Sequence, residues 1–347
     1  ISVNINVTEN VKCYMKVIYK LKKEMPLLEK DHILGFDEIE VSQKDAKCQL
    51  AEKWLEKTSA DSELQVNEND TQIHIKGREF AYTIDRRTAL FTEMKFAGRE
   101  YLNHPMELNI WRAPTDNDMY IKSEWRKAHY DKAYTRAYTT EVVQGKHGVK
   151  ITSHASVVAE TVQKILDVTI TWKIEAAGKI DADIAVTKDD EFPDLPRFGV
   201  RMFLDKKLSA VRYFGMGPQE SYCDKHQAAS HGLYRADVGD LREVYIRPQE
   251  NGSHYDCEYV ELNNSRYGIV ASAEKAFSFN ASYYTQEELE KKTHNYELIE
   301  SDSVVFCVDY ALNGIGSNSC GPVVLEQYRF DDVLFRFQFT LIPYVKG

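Results

Sequence analysis

The sequence has no apolar run of 18 or more residues, the length a membrane-crossing helix needs. Nothing in it therefore places the chain in a bilayer. Its six cysteines, Cys13, Cys48, Cys223, Cys257, Cys307 and Cys320, include no CxxC pair. That excludes a zinc ribbon and a small disulfide framework, and leaves reduced thiols in a cytoplasmic protein as the simpler expectation. The ten histidines form no HExxH run, and no GxSxG elbow supports a Ser-His-Asp hydrolase. The Gly316–Gly321 loop lacks the lysine and following helix of a phosphate-binding loop. Basic runs are missing too. Lys and Arg number 44 against 54 Asp and Glu, a net charge of −10 with His neutral, so a broad nucleic-acid-binding surface is excluded. There is no repeat of fixed period, no low-complexity tract and no initiator methionine. The chain opens on the alternating segment Ser2–Val7, which reads as a strand cut from something longer.

What is present is β pattern. A hydrophobic content of 43% over 347 residues allows a packed core, one large β domain and something smaller. Ser2–Val7 and Lys12–Leu21 alternate and read as a hairpin, Glu24–His32 reads as a loop around Pro26, and Ile33–Val41 reads as a third strand. The charged stretch Ser42–Asn69 reads as a linker, with its centre at 48–60. From Thr71 onward short β-branched or aromatic runs recur, among them Gln72–Lys76, Phe80–Asp85, Leu90–Phe96, Leu108–Arg112, Tyr138–Gln144, Ile165–Glu175, Gly199–Leu204, Tyr245–Ile246, Asp256–Asn263 and Arg329–Ile342. Helix is predicted only at Ser123–Ala133 and at Thr285–Lys292. The second has Thr285 as N-cap, Glu287 and Glu288 in the first turn and lysines at the end. The pattern implies an all-β protein built on a large antiparallel sandwich.

Chemistry concentrates in turns. In Asn109–Asp118 an apolar run with Trp111 meets Pro114 and then Asp116, Asn117 and Asp118. An aromatic face beside planar polar groups suits sugar hydroxyls, and an Asx-turn after an edge strand fits the same residues. Glu220 and Glu250 each sit in a Pro-Gln-Glu turn. Paired carboxyls could cleave a glycosidic bond, or each could accept backbone donors in its own tight loop. His254 precedes Asp256 by two, and Asn251 follows Glu250.

Taken in order, four segments resemble one family. Trp111-Arg112-Ala113-Pro114-Thr115-Asp116-Asn117-Asp118, Gly215-x-Gly217-Pro218-Gln219-Glu220-x-Tyr222-x-Asp224, Pro248-Gln249-Glu250-Asn251-Gly252 and Gly314-Ile315-Gly316-x-Asn318-Ser319-Cys320-Gly321-Pro322 are similar to the C-terminal region of bacterial β-galactosidases of glycoside hydrolase family 2. Leu27–Asp37 is similar to the last strands of the immunoglobulin-like domain that precedes this region in the family. The resemblance implies a galactose mutarotase-like supersandwich over 61–347, preceded over 1–47 by the end of an immunoglobulin-like sandwich. It implies that the catalytic glutamates and the metal ions, Mg and Na, belong to a TIM barrel outside this chain, so that Glu220 and Glu250 are not acid and nucleophile. It implies that Asn318, Ser319 and Cys320 lie on the rim of the substrate site, with Cys320 where some members carry a stacking Trp. It further implies a β-galactoside substrate, the barrel domain or a separate large subunit as partner, and an oligomeric parent enzyme. A stand-alone mutarotase-like enzyme using His254 and Glu250, and a passive carbohydrate-binding or assembly module, remain the competing readings.

Overall fold

The computed structural model describes residues 12–41 and 64–346. The chain divides into two compact units, Ile1–Lys57 and Thr58–Gly347. In the first, β1 (Tyr14–Lys20) pairs antiparallel with β2 (Ile33–Glu40), with Ile18 opposite Phe36 and a register shift at Tyr19/Lys20. The loop between them turns through Leu27 and Asp31, both at positive φ. The Ser2–Val7 strand and residues 42–63 of the expected linker lie outside the described residues.

The second unit is built almost wholly of antiparallel strands. A five-stranded sheet runs in sequence order through β3 (Gln65–Glu68), β4 (Gln72–Lys76), β5 (Phe80–Asp85), β6 (Leu90–Phe96) and β7 (Arg99–Glu100). Gln65–Glu68 is thus a strand and not linker: its alternation is short, but Leu64 before it is buried. A sheet of twelve described strands follows: β8 (Leu102–Asn109), β9 (Tyr134–Gly145), β10 (Gly148–Val158), β11 (Leu166–Glu175), β12 (Ile180–Lys188), β13 (Arg197–Asp205), β14 (Ala210–Gly217), β15 (Ser230–Asp237), β16 (Ser253–Asn263), β17 (Tyr267–Ser282), β18 (Ser303–Leu312) and β19 (Leu334–Val345). Its main path runs β15-β14-β16-β17-β19-β12-β11-β10-β9, and β18, β13 and β8 branch from β17.

The two sheets meet over an aromatic core. Period-two alternation in β11 buries Leu166, Val168, Ile170, Trp172 and Ile174 on one face. Trp172 packs edge-on against Phe91 at 4.9 Å between ring centroids, and its indole N–H donates to the carbonyl of Ala89 at 2.8 Å. Tyr82 does the same in reverse, donating to the Gly178 carbonyl at 2.7 Å. A large ring whose polar edge is satisfied across the interface fixes how the sheets stack.

Several elements differ from the expectation. The Leu108–Arg112 strand ends at Asn109, because β8 is an edge strand paired only with β13, and Ile110 onward leaves the sheet. Tyr245–Ile246 is coil, and the helix expected over Ser123–Ala133 stops sooner, with α1 spanning Ile121–Lys127. In α2 (Gln286–Lys291) the Thr285 hydroxyl accepts from the Glu288 amide at 3.1 Å, as the N-cap pattern predicts. β13 is buried along nearly its whole length, and its alternate residues Arg197 and Arg201 carry charge into the interior.

Removing the inter-sheet ring should be costly. Trp172→Ala is expected to lower unfolding free energy by roughly 3–5 kcal/mol, the range for emptying a large aromatic site. Urea denaturation with the native slope retained would measure it, and a loss below about 1 kcal/mol would show that the interface does not depend on this residue.

Candidate functional site

All four turn segments converge on one cleft of about 530 Å³ at the loop end of the large sheet. Asp116 and Asn117 come from the loop after β8, Glu220 and Asp224 from the loop after β14, Glu250 from the segment before β16, and Gly316 and Ser319 from the loop after β18.

Buried guanidinium groups hold these loops. Arg112 is fully buried; its Nε and Nη2 donate to the Asp118 carboxylate at 3.1 and 2.7 Å. The same guanidinium donates to the carbonyls of Asn313 and, at 3.1 Å, Gly314. One side chain therefore ties the first loop to the fourth. Asn117 donates to the Gly316 carbonyl at 2.6 Å, and the Asp224 carboxylate accepts from the amides of Ile315 and Gly316 at 2.9 and 2.7 Å. Gly316 sits at φ +66°, and a Cβ there would come within 2.7 Å of Val324, so only glycine fits the turn.

Arg197 forms the second node. It donates to both oxygens of Asp309, at 3.2 and 2.5 Å, and to Glu250 Oε2 at 3.3 Å. Burial pushes the Glu250 carboxyl up, against the pull of Arg197 and Arg112, and pushes Asp309 up against Arg197. Arg197 itself is driven down by burial and up by Asp309 and Glu250, and the net direction is up, so it stays charged. Glu250 also fixes its loop through its amide, which donates to the Ala113 carbonyl at 3.0 Å. Its other oxygen, Oε1, and the hydroxyl of Tyr222 are buried at the cleft without a protein hydrogen-bond partner.

Glu220 is saturated in a different way. It accepts from the Lys225 ammonium, the Tyr245 hydroxyl and, at 2.8 Å, the Gly252 amide. Gly252 is at φ +72° with the Leu241 carbonyl 2.6 Å from where a Cβ would stand, which places its N–H at the carboxylate. Gln249 bridges to the first loop, accepting from the Asp116 amide at 3.0 Å and donating to its carboxylate at 3.3 Å. Glu220 is thus held by a cation, a hydroxyl and an amide, and Glu250 by Arg197 through one oxygen alone. The arrangement suits a preorganised wall of donors and acceptors.

The remaining predicted residues are elsewhere. Trp111 is buried, 6.2 Å from Trp125 between centroids and with its indole N–H donating to Glu290 at 3.2 Å, so it offers no stacking face to a sugar. Asn251 braces its own turn, donating to the Gln249 carbonyl at 2.8 Å and accepting from the Glu243 amide at 3.2 Å. Asn318 lines a neighbouring depression with Asp118, and Cys320 is an exposed free thiol at the turn after it. His254 is fully buried, stacked on Phe279 at 5.0 Å, with Nδ1 at 3.3 Å from the Met216 carbonyl. It is not placed to act as the accessible base that a mutarotase reading requires. Lys225 and Tyr245, which with Gln249 carry much of the cleft's hydrogen bonding, were not among the site residues expected from the sequence. Tyr245 sits in a segment that alternates like a strand, and no spacing links it to Glu220.

Among the described residues no group of three or more His, Cys, Asp or Glu side chains could hold a metal ion, and the cleft carboxylates are already engaged by ammonium, guanidinium and amide groups. The donor set does not fit a magnesium site. No described helix is long and apolar enough to cross a membrane.

His254 makes a pH prediction. Burial holds its imidazole down from 6.5 to about 4, with the Met216 carbonyl and Glu220 pulling weakly the other way. The unfolded chain takes up this proton near 6.5 and the folded chain only near 4, so stability falls as the pH drops through that window, by on the order of 3 kcal/mol at its lower end. His254→Phe keeps a stacked ring and should show a shallower loss between pH 7 and 4.5 in urea unfolding. Equal losses in both proteins would show that the buried imidazole is not neutral.

Residues 76–341 match the family model described as beta galactosidase small chain. The chain is 42% identical over 324 residues to a beta-galactosidase of Actinobacillus pleuropneumoniae, covering 93% of this chain and 31% of that protein. It is 32% identical over 324 residues to one from Staphylococcus xylosus, covering 93% and 32%. It thus spans about a third of the length of these relatives. Among solved structures, a galactose 1-epimerase from Lactobacillus acidophilus NCFM aligns at a TM-score of 0.44 and 8% identity, over 83% of this chain and all of that one. The turns that close the cleft all fall within the matched segment, and the chain belongs to the beta galactosidase small chain family.

Proposed function

We propose that this chain is the non-catalytic C-terminal part of a glycoside hydrolase family 2 β-galactosidase acting on terminal β-D-galactosides such as lactose. In this reading the loop cleft is part of the wall that completes the active-site rim, against a catalytic TIM barrel outside the chain. The observation that carries the reading is the convergence of the family's turn segments on a cleft whose two glutamates are both pinned. Donors and acceptors held in place around a substrate position it and exclude water.

The same reading assigns the other expectations. Residues 1–47 close an immunoglobulin-like domain, Mg and Na are held by the barrel part, the assembled enzyme is oligomeric and cytoplasmic, and Ser319 stands nearest the sugar among Asn318, Ser319 and Cys320. A thiol at Cys320 gives no ring for an acceptor sugar to stack on, which favours hydrolysis over transfer to a second sugar.

The test is complementation. The chain alone is expected to leave a chromogenic β-galactoside unhydrolysed, and to restore turnover when mixed with a separately produced barrel portion of a β-galactosidase relative. Asp116→Ala, which removes the carboxylate that accepts from Gln249, should weaken that restoration by up to about tenfold, the scale of one hydrogen bond. Turnover by the chain alone that vanishes in Glu220→Gln would overturn the proposal.

A further inference from the structure

β17 is a strand with two allegiances. Its first part, Tyr267–Ser272, pairs with β19 between Val345 and Thr340; its last part, Ser278–Ser282, pairs with β18 between Asp309 and Val305. Between them the ladder to β16 also breaks: Tyr259 faces Ser272, but Cys257 faces Phe277, so two steps on β16 span five on β17. Residues Ala273–Ala276 bulge out, and β18 and β19 part. Next to it on β16 a second register shift, between His254 and Cys257, holds Asp256 at φ +53°, a left-handed conformation uncommon for a residue other than glycine. Bulges that bend a sheet and re-aim side chains are concentrated at functional sites.

The parting opens a cleft of about 430 Å³ that adjoins the loop cleft at Tyr222, which lines both, with a volume inside the roughly 300–1,000 Å³ of small-molecule sites. Of the half-buried tyrosines in its lining, Tyr310 and Tyr255 are each backed by another ring. Tyr310 stacks on Phe335 at 4.9 Å and 15°, and Tyr255 stacks on His226 at 5.6 Å and 27°. Around them carboxylates and cations alternate: Asp256, Glu274 and Asp332 against Lys275, Arg329 and Arg336. Asp256 is steadied by His231 at 2.9 Å, and Arg336 by a two-point contact with Asp183. A phosphate would meet three carboxylates here and an organic cation three basic groups. An apolar ligand would leave the polar wall unpaired. A neutral ring with hydroxyls around its edge and C–H groups on its faces matches both the tyrosines and the mixed-sign rim.

We propose that the cleft between β18 and β19 is a second sugar site, binding a neutral hexose or the terminal residue of an oligosaccharide independently of the loop cleft. The fold gives up ladder hydrogen bonds at the bulge to make this cleft, and the alternating charges supply the donors and acceptors a sugar edge needs.

Calorimetric titration of the 347-residue chain with galactose and with lactose tests it. At least one of the two should bind, in a component that Tyr310→Ala and Glu274→Ala each weaken about tenfold or more. Glu274 is exposed, so its variant should melt with the parent chain and separate lost binding from lost folding. Lys225→Ala, in the loop cleft, should leave that component unchanged. Absence of binding with both sugars at tens of millimolar, binding indifferent to Glu274→Ala, or binding removed by Lys225→Ala would each overturn the proposal.

Discussion

The buried guanidinium of Arg112 is the contact on which the loop end of this molecule depends. A charge inside a protein is tolerated only when its donors are used, and Arg112 uses them on two loops some 200 residues apart in sequence. Asp118 neutralises it, and the carbonyls of Asn313 and Gly314 finish the set. Arg197 repeats the device between Asp309 at the end of β18 and Glu250, and Arg201 repeats it with Glu107 at 2.6 Å and Glu287 at 2.8 Å. Each buried arginine joins a strand or loop of one part of the sheet to a segment distant in sequence. The cleft is therefore a consequence of satisfying interior charge, and its loops have little freedom to relax one at a time.

The all-β architecture was legible because period-two burial is written into segments such as β11 and β12, whose alternate residues are apolar. The Thr285 cap was legible because a single side chain and its own helix decide it. Residues whose role depends on the third dimension were not. Trp111 reads like a sugar platform beside Asp116 and Asn117, yet the chain turns at Ile110 and the ring goes inward to Trp125. His254 looks available next to Asp256, yet strand alternation sends it under Tyr213 and Phe279. Lys225 and Tyr245 meet at Glu220 only because β14 and the segment before β16 end side by side. The short strand Gln65–Glu68 was masked by its charge, since one buried neighbour is too little pattern to read.

The functional reading follows from this rigidity. In this cleft Lys225, Tyr245 and the Gly252 amide hold Glu220, Arg197 holds Glu250, and two amides hold Asp224. In the proposed reading the chain supplies shape and fixed polarity, and the chemistry lies outside it. The cleft between β18 and β19 has the opposite character. Its charged groups lie at an opening of the sheet, with tyrosine faces between them, and it meets the loop cleft only along the wall that carries Tyr222.

Amide hydrogen exchange at Ile315 and Gly316 tests the central claim most directly, because these N–H groups bond only to Asp224 and lie in the loop that Arg112 holds. The account predicts that both amides are protected in the parent chain, and that Arg112→Met raises their exchange together with that of Asp118 and Gly252. Fast exchange of Ile315 and Gly316 in the parent chain, or a change in Arg112→Met confined to residues next to position 112, would contradict it.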